Sequence, residues 1–184
     1  ELHYQPVWSM DEKQYISLEA LSRLNHPEFG LIPPDVFIGI AERNGLMVQI
    51  SKLQLARLCR FIQENQSQLK QLHSIKLNLS PVELTQVGHA KQLIQILKQY
   101  EIPAGFVQFE ITETAASSSC DSLIENITAF KEAGIPLCLD DFGSGYANLN
   151  TVLKMPFGVI KLDRSLLFGI CDDPHKHAPR PPEI

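Results

Sequence analysis

Residues 136–146 read PLCLDDFGSGY, an apolar run that closes on two adjacent carboxylates, Asp140 and Asp141. The chain then passes Gly143 and Gly145, which let a backbone turn sharply. Neighbouring carboxylates repel one another unless positive charge sits beside them. Other short runs carry polar groups of matching kind near their ends: Glu19 in YISLEAL, Asn78 in SIKLNLS, Glu110 in FVQFEIT and Lys161 in GVIKLD. Gathered in one place, four carboxylates, one amide and one ammonium demand cations. All-oxygen donors suit hard divalent ions such as Mg²⁺ or Mn²⁺. Four carboxylates can hold two such ions about 3.5–4 Å apart, one carboxylate bridging them. The chemistry such a pair supports is hydrolysis of a phosphoester, with a water activated and the entering and leaving oxygens both stabilised.

Those residues meet only if strands present them to one face. Side chains alternate along a strand with period two. Leu18 then opposes Ser17 and Glu19, Ile75 and Leu77 oppose Lys76 and Asn78, and Val107 and Phe109 oppose Gln108 and Glu110. Leu137 and Leu139 oppose Cys138 and Asp140, and Ile160 and Leu162 oppose Lys161. A lone strand-end carboxylate is often a helix cap or a solvated charge, and an inward lysine often only pairs with one. Five successive tips of one parity argue for a site. With HYQPVW, six strand-like runs are present. Between them, PPDVFIGIAERNG opens on proline and closes on glycine as a helix does. VQISKLQLARLCRFIQENQSQL, AKQLIQILKQY and SLIENITAFKEAG repeat apolar residues at helical spacing. Strands alternating with helices imply an α/β fold with a mostly parallel sheet, either a TIM-type (β/α) barrel or an open doubly wound sheet. Both place sites at strand C-termini.

The bulk numbers narrow the class. A chain of 184 residues can build one core, and 44% hydrophobic against 20% charged residues is the composition of a folded domain. No apolar run approaches the roughly 20 residues that span a bilayer. The net charge of −5 argues against DNA or RNA as partners. Cys59, Cys120, Cys138 and Cys171 lack metal spacing and read as free thiols in a reducing, cytoplasmic compartment. The chain opens at Glu1 without a basic-then-apolar leader and reads as a piece of a longer protein. DDPHKHAPRPPEI, residues 172–184, reads as a proline-rich tail after a domain over 1–171.

Seven stretches in order carry a family resemblance: YQPVW, LEALSR, IPPDVFIGIAERNGL, KLNLSP, FEITET, DDFGSGYANL and VIKLDRS, across residues 4–165. Together they resemble the EAL domain, a bacterial phosphodiesterase of cyclic di-GMP, with Glu19-Ala20-Leu21 as the eponymous tripeptide. The resemblance implies a modified TIM-type barrel whose first strand runs antiparallel. It implies hydrolysis of c-di-GMP to linear pGpG by a metal-activated water, with Mg²⁺ or Mn²⁺ as cofactor and Ca²⁺ inhibitory. By resemblance Glu19, Asn78, Glu110 and Asp140 match metal ligands, and Asp141 matches the ligand of a second metal. Lys161 matches the lysine near the attacking water, and Glu113 matches a glutamate that steadies the loop after Asp141. Gln5, Leu21 and Arg23 match residues near the dinucleotide, as do Asn78 and Asp140. The family is often fused to sensor or GGDEF-type domains, often pairs as homodimers, and belongs to parents that can be membrane-anchored.

Two departures qualify this. Gly158 stands where the family usually has aspartate. Six strands are legible where a full barrel has eight and about 250 residues, so a truncated barrel, weak or inactive in catalysis, is the expectation. The functional alternatives are a phosphodiesterase and a non-catalytic module that binds c-di-GMP or a protein. An unrelated metal-dependent barrel would require the motif order to be coincidence.

Overall fold

The computed structural model describes residues 1–116, 120–144 and 155–166. All six expected strands are present: β1 (Leu2–Ser9), β2 (Gln14–Ser22), β5 (Ser74–Asn78), β6 (Val107–Thr112), β7 (Leu137–Phe142) and β8 (Phe157–Leu162). They form one sheet in the order β1-β2-β5-β6-β7-β8. β1 and β2 are antiparallel and the remaining pairs are parallel. The reason lies in the connections. Only residues 10–13 join β1 to β2, which permits a hairpin, whereas the links from β2 to β5, β5 to β6 and β6 to β7 pass through helices and return the chain in the same direction. The short hairpin β3 (Leu24–His26) and β4 (Gly30–Ile32), and the single-turn helices α3 (Pro81–Leu84) and α5 (Glu113–Ala116), are too brief to carry a period and go unannounced in the sequence.

Helix α1 (Pro34–Arg43) starts on proline, with Asp35 in its first turn and Arg43 in its last, matching the helix dipole. Helices α2 (Met47–Glu64), α4 (His89–Gln99) and α6 (Asp121–Glu132) each bury one apolar stripe. Leu55 and Leu58, Leu93 and Leu97, and Leu123, Ile127 and Phe130 pack onto Ile75, Leu77, Val107, Phe109 and Leu137 of the sheet. Phe109 and Phe130 meet with ring centroids 4.9 Å apart. The apolar strand face is thus covered by helices, and the polar face is left to itself.

The sheet is strongly curled. Between β2 and β8 lie three strands, which on a flat sheet would separate them by about 19 Å, beyond the joint reach of a lysine and a glutamate. Yet Lys161 Nζ on β8 lies 3.2 Å from Glu19 Oε2 on β2. The polar face is the concave one, as barrel closure requires. Among the described residues β1 and β8 form the two edges of this sheet. Cys59 and Cys138 are buried and Cys120 half-buried, all free thiols, whereas Cys171 and the expected tail over 172–184 lie outside the described residues. Among the described residues no helix is long and apolar enough to cross a membrane.

Candidate functional site

Five strands deliver one side chain each to the concave face: Glu19, Asn78, Glu110, Asp140 and Lys161. Lys161 Nζ donates to Glu19 Oε2 at 3.2 Å, Glu110 Oε2 at 3.0 Å and Asp140 Oδ2 at 3.1 Å. An ammonium has three donors, and here each carboxylate takes one. Asn78 Nδ2 donates to the other Glu19 oxygen at 3.1 Å. One carboxylate oxygen each from Glu19, Glu110 and Asp140 lies within 4.8 Å of the others, a group that can hold a metal ion.

Burial sets the electrostatics. Glu110 has no exposed side-chain surface. Burial drives its carboxyl above the ordinary range and Lys161 pulls it back, with Glu19 and Asp140 adding to the rise. Burial also disfavours the charge on Lys161, but Glu110, Glu19 and Asp140 outweigh it and hold the ammonium above its usual value. Three carboxylates against Lys161 and the more distant Lys76 leave the centre short of positive charge. Glu110 Oε1 is buried and accepts no hydrogen bond among the described residues. An orphaned carboxylate oxygen in an all-oxygen cluster fits a hard divalent cation. Lys76, buried on the same strand face, stands 3.7 Å from that oxygen. Its parity was visible in the sequence, but its partner was not, because that depends on the β5–β6 register. Beneath the cluster, Cys138 Sγ donates to Gln108 Oε1 at 3.3 Å, and burial pushes this thiol up to about 11.

The two aspartates are arranged differently from a plain strand end. Both Asp140 and Asp141 lie within β7, which runs on to Phe142. The β7–β8 register runs Leu139↔Ile160 and then Phe142↔Leu162, so Asp140 and Asp141 together face Lys161 alone. This is a β-bulge, with Asp141 in the left-handed region at φ 54°. The bulge breaks strict alternation: Asp140 joins the carboxylate group, while Asp141 is exposed and lies outside it. Burial raises the Asp141 carboxyl above its ordinary value, as do Asp140 and Asp163, while Lys161 opposes them. Asp140 Oδ1 accepts from the Asp141 backbone N–H at 3.0 Å. Glu113, at the start of α5, accepts from the Gly143 backbone N–H at 2.6 Å through Oε2. Gly143 has φ 93°, and an added Cβ would overlap the Leu166 side chain. Gly145 lies outside the described residues.

Gln5 pairs in register with Glu19 and so shares its face of the sheet, and Leu21 follows Glu19 at the same parity. Arg23 is outside the carboxylate cluster. It follows β2, donates to the Ser22 carbonyl at 2.8 Å, and lines a cavity of about 500 Å³ with Phe37, Ile40 and Gln54. Gly158 sits where β8 slips against β7, between Phe157 and Val159.

The EAL domain family profile matches residues 1–178. The chain is 34% identical over 170 residues to the cyclic di-GMP phosphodiesterase NbdA of Pseudomonas aeruginosa, covering 92% of this chain and 22% of that protein. It is 34% identical over 169 residues to the cyclic di-GMP phosphodiesterase RocR of the same organism, covering 91% and 42%. The chain thus spans less than half of either relative. Among solved structures, the PaMucR phosphodiesterase in complex with c-di-GMP superposes with a TM-score of 0.84 at 29% identity, covering 94% of this chain and 70% of that one. An antiparallel first strand, a curled parallel sheet and carboxylates gathered on its concave face agree with the profile over nearly the full length, and the chain belongs to the EAL domain family.

Proposed function

We propose that this chain is a c-di-GMP-recognising phosphodiesterase module that opens one phosphodiester of the cyclic dinucleotide to give linear pGpG. The observation that carries the reading is the convergence of Glu19, Glu110 and Asp140, from three different strands, on one position of positive charge occupied by Lys161 Nζ. Glu19, Asn78, Glu110 and Asp140 would hold one Mg²⁺ or Mn²⁺ ion and Asp141 would contribute to a second. When bound, such ions lower the pKa of a water and offset charge on phosphate oxygens. Lys161, kept protonated by its three carboxylate neighbours, orients the attacking water and offsets negative charge at phosphorus. Glu113 holds the Gly143 backbone and through it the bulge that aims Asp141. Gln5, Leu21 and Arg23 flank the same end and would contact the dinucleotide. We assign the domain to residues 1–171, followed by a tail over 172–184.

Turnover by the 184-residue chain is expected to be weak. Asn78 and Asp141 are exposed, and a wet site weakens the electrostatic stabilisation on which phosphoryl chemistry depends. The same exposure supports a second reading, a module that binds c-di-GMP without cleaving it. Chromatography of c-di-GMP incubated with the purified chain separates the two. Slow pGpG formation in Mg²⁺ or Mn²⁺, abolished by chelator and by Ca²⁺, supports the phosphodiesterase. Binding with no product in either metal supports the second reading, and pGpG formation undiminished in chelator would overturn the metal assignment.

A further inference from the structure

Ser80 stands two residues after Asn78, where β5 gives way to α3. Its backbone N–H donates to Glu83 Oε2 at 2.9 Å, and its hydroxyl accepts from the Val82 N–H at 3.2 Å. The hydroxyl also accepts from the Glu83 backbone N–H, which together with the Ser80 N–H bond to the Glu83 carboxylate forms a capping box. The same hydroxyl also donates to Glu42 Oε1 at 2.5 Å, a carboxylate brought in by α1 from 38 residues away. Glu83 is fully buried, and its other oxygen lies 3.2 Å from His89 Nε2 of α4. That nitrogen in turn lies 3.3 Å from Ser51 Oγ of α2. From the other side Asn126 of α6 accepts from the Ala90 N–H at 3.0 Å and donates to the Leu84 and Gln86 carbonyls at 2.8 and 2.9 Å.

Closing a four-residue helix does not call for this. A fully buried carboxylate carries a desolvation cost that an apolar residue of similar size avoids, and His89 Nδ1 has no hydrogen-bond partner among the described residues. What the network supplies is geometry. Four helices meet on the turn that directly follows an exposed site residue, and Asn78 has little packing of its own to hold it.

We infer that Glu42 and Ser80, backed by Glu83 and His89, are positioning residues that lock the β5–α3 turn and thereby keep the Asn78 amide at the carboxylate cluster. This rests on the reading of Asn78 as a ligand of the proposed metal centre. None of the four touches the cluster; they act through the backbone between Asn78 and Ser80. Glu42 also ties the turn to α1, so a displacement of α1 would be felt at Asn78.

The test uses the whole chain, ¹⁵N-labelled, with Glu42→Ala, Ser80→Ala and the conservative Glu42→Gln, which retains an acceptor for the Ser80 hydroxyl. In metal-free protein the Asn78 side-chain amide signals are expected to shift or broaden in both alanine variants and to return in Glu42→Gln. Calorimetric titration with Mn²⁺ is expected to weaken by about tenfold in the alanine variants, the lower end of the effect of removing a ligand's supporting partner. Unchanged Asn78 signals in a folded Glu42→Ala would overturn the inference. If the parent chain bound no Mn²⁺, the metal reading would fall, while the amide signals would still decide the positioning role. Should Ser80→Ala fail to fold, Glu42→Ala, at a half-buried position, decides alone.

Discussion

Lys161 sits where a metal ion would be drawn, and its environment makes a sharp prediction. Removing its charge with Lys161→Met leaves Glu19, Glu110 and Asp140 facing one another, and breaking such a part-buried cluster costs about 3 kcal/mol, the lower end for a buried pair. For a chain of this size that is a fall in melting temperature of roughly 6–12 °C. The loss is expected in chelator and is expected to be recovered by added Mg²⁺ or Mn²⁺, because a divalent ion supplies the missing charge. Identical melting with and without metal would contradict this. Activity is expected to fall at least about 100-fold, as when a group that offsets developing charge is removed. The pH dependence follows from Glu110. Its carboxyl binds a proton more readily folded than unfolded, so this group opposes folding at high pH and favours it as pH falls through its raised folded value. In chelator, Lys161→Met should therefore gain stability as pH is lowered from neutral into the mildly acidic range, and a monotonic loss would count against the account.

The thiols provide a separate check. Burial pushes Cys59 up to about 12, whereas hydrogen bonds from Ser122 and Leu123 hold the half-exposed Cys120 below its ordinary value. Thiolate is the reactive form, so iodoacetamide at pH 8 is expected to modify Cys120 well before Cys59, read by peptide mass spectrometry.

At the scale of elements, β7 carries most of the difference between what alternation implies and what the chain does. Strict period two would send Asp140 and Asp141 to opposite faces. The bulge opposite Lys161 and the left-handed Asp141 interrupt that alternation, and neither is visible without the β7–β8 register. Gly143 completes the turn at positive φ against Leu166. Gly143→Ala is expected to cost more than about 1 kcal/mol and to reduce turnover further by loosening the bond to Glu113; an unchanged melting temperature would show that the turn tolerates a side chain. The helices were legible for the opposite reason: their apolar stripes are long, and Leu55, Leu58, Leu93 and Phe130 reach the core where a 3.6-residue period places them. Phe130→Ala, which empties the pocket against Phe109, is expected to cost about 3–5 kcal/mol by chemical denaturation. Lys76 and the buried Glu83–His89 pair were not legible as partners, because each contact joins elements whose relative placement no local pattern encodes.

For the whole molecule, the decisive property is curl. An apolar face wrapped by helices and a polar face bent inward are one consequence of a single alternation repeated over five strands, and the bend is what brings β2 and β8 within the reach of one lysine. The same curvature places Gln5 and Leu21 on the concave face with Glu19, where the proposed contacts to the dinucleotide would be made. The most direct measurement is calorimetric titration of the purified chain with c-di-GMP in the presence of Ca²⁺, which would support binding without turnover, repeated in chelator and with Asp140→Ala. The account predicts saturable binding at one site that weakens in chelator and is lost in Asp140→Ala. Absence of binding by the folded parent chain under every condition, or binding indifferent to both the cation and Asp140, would contradict it.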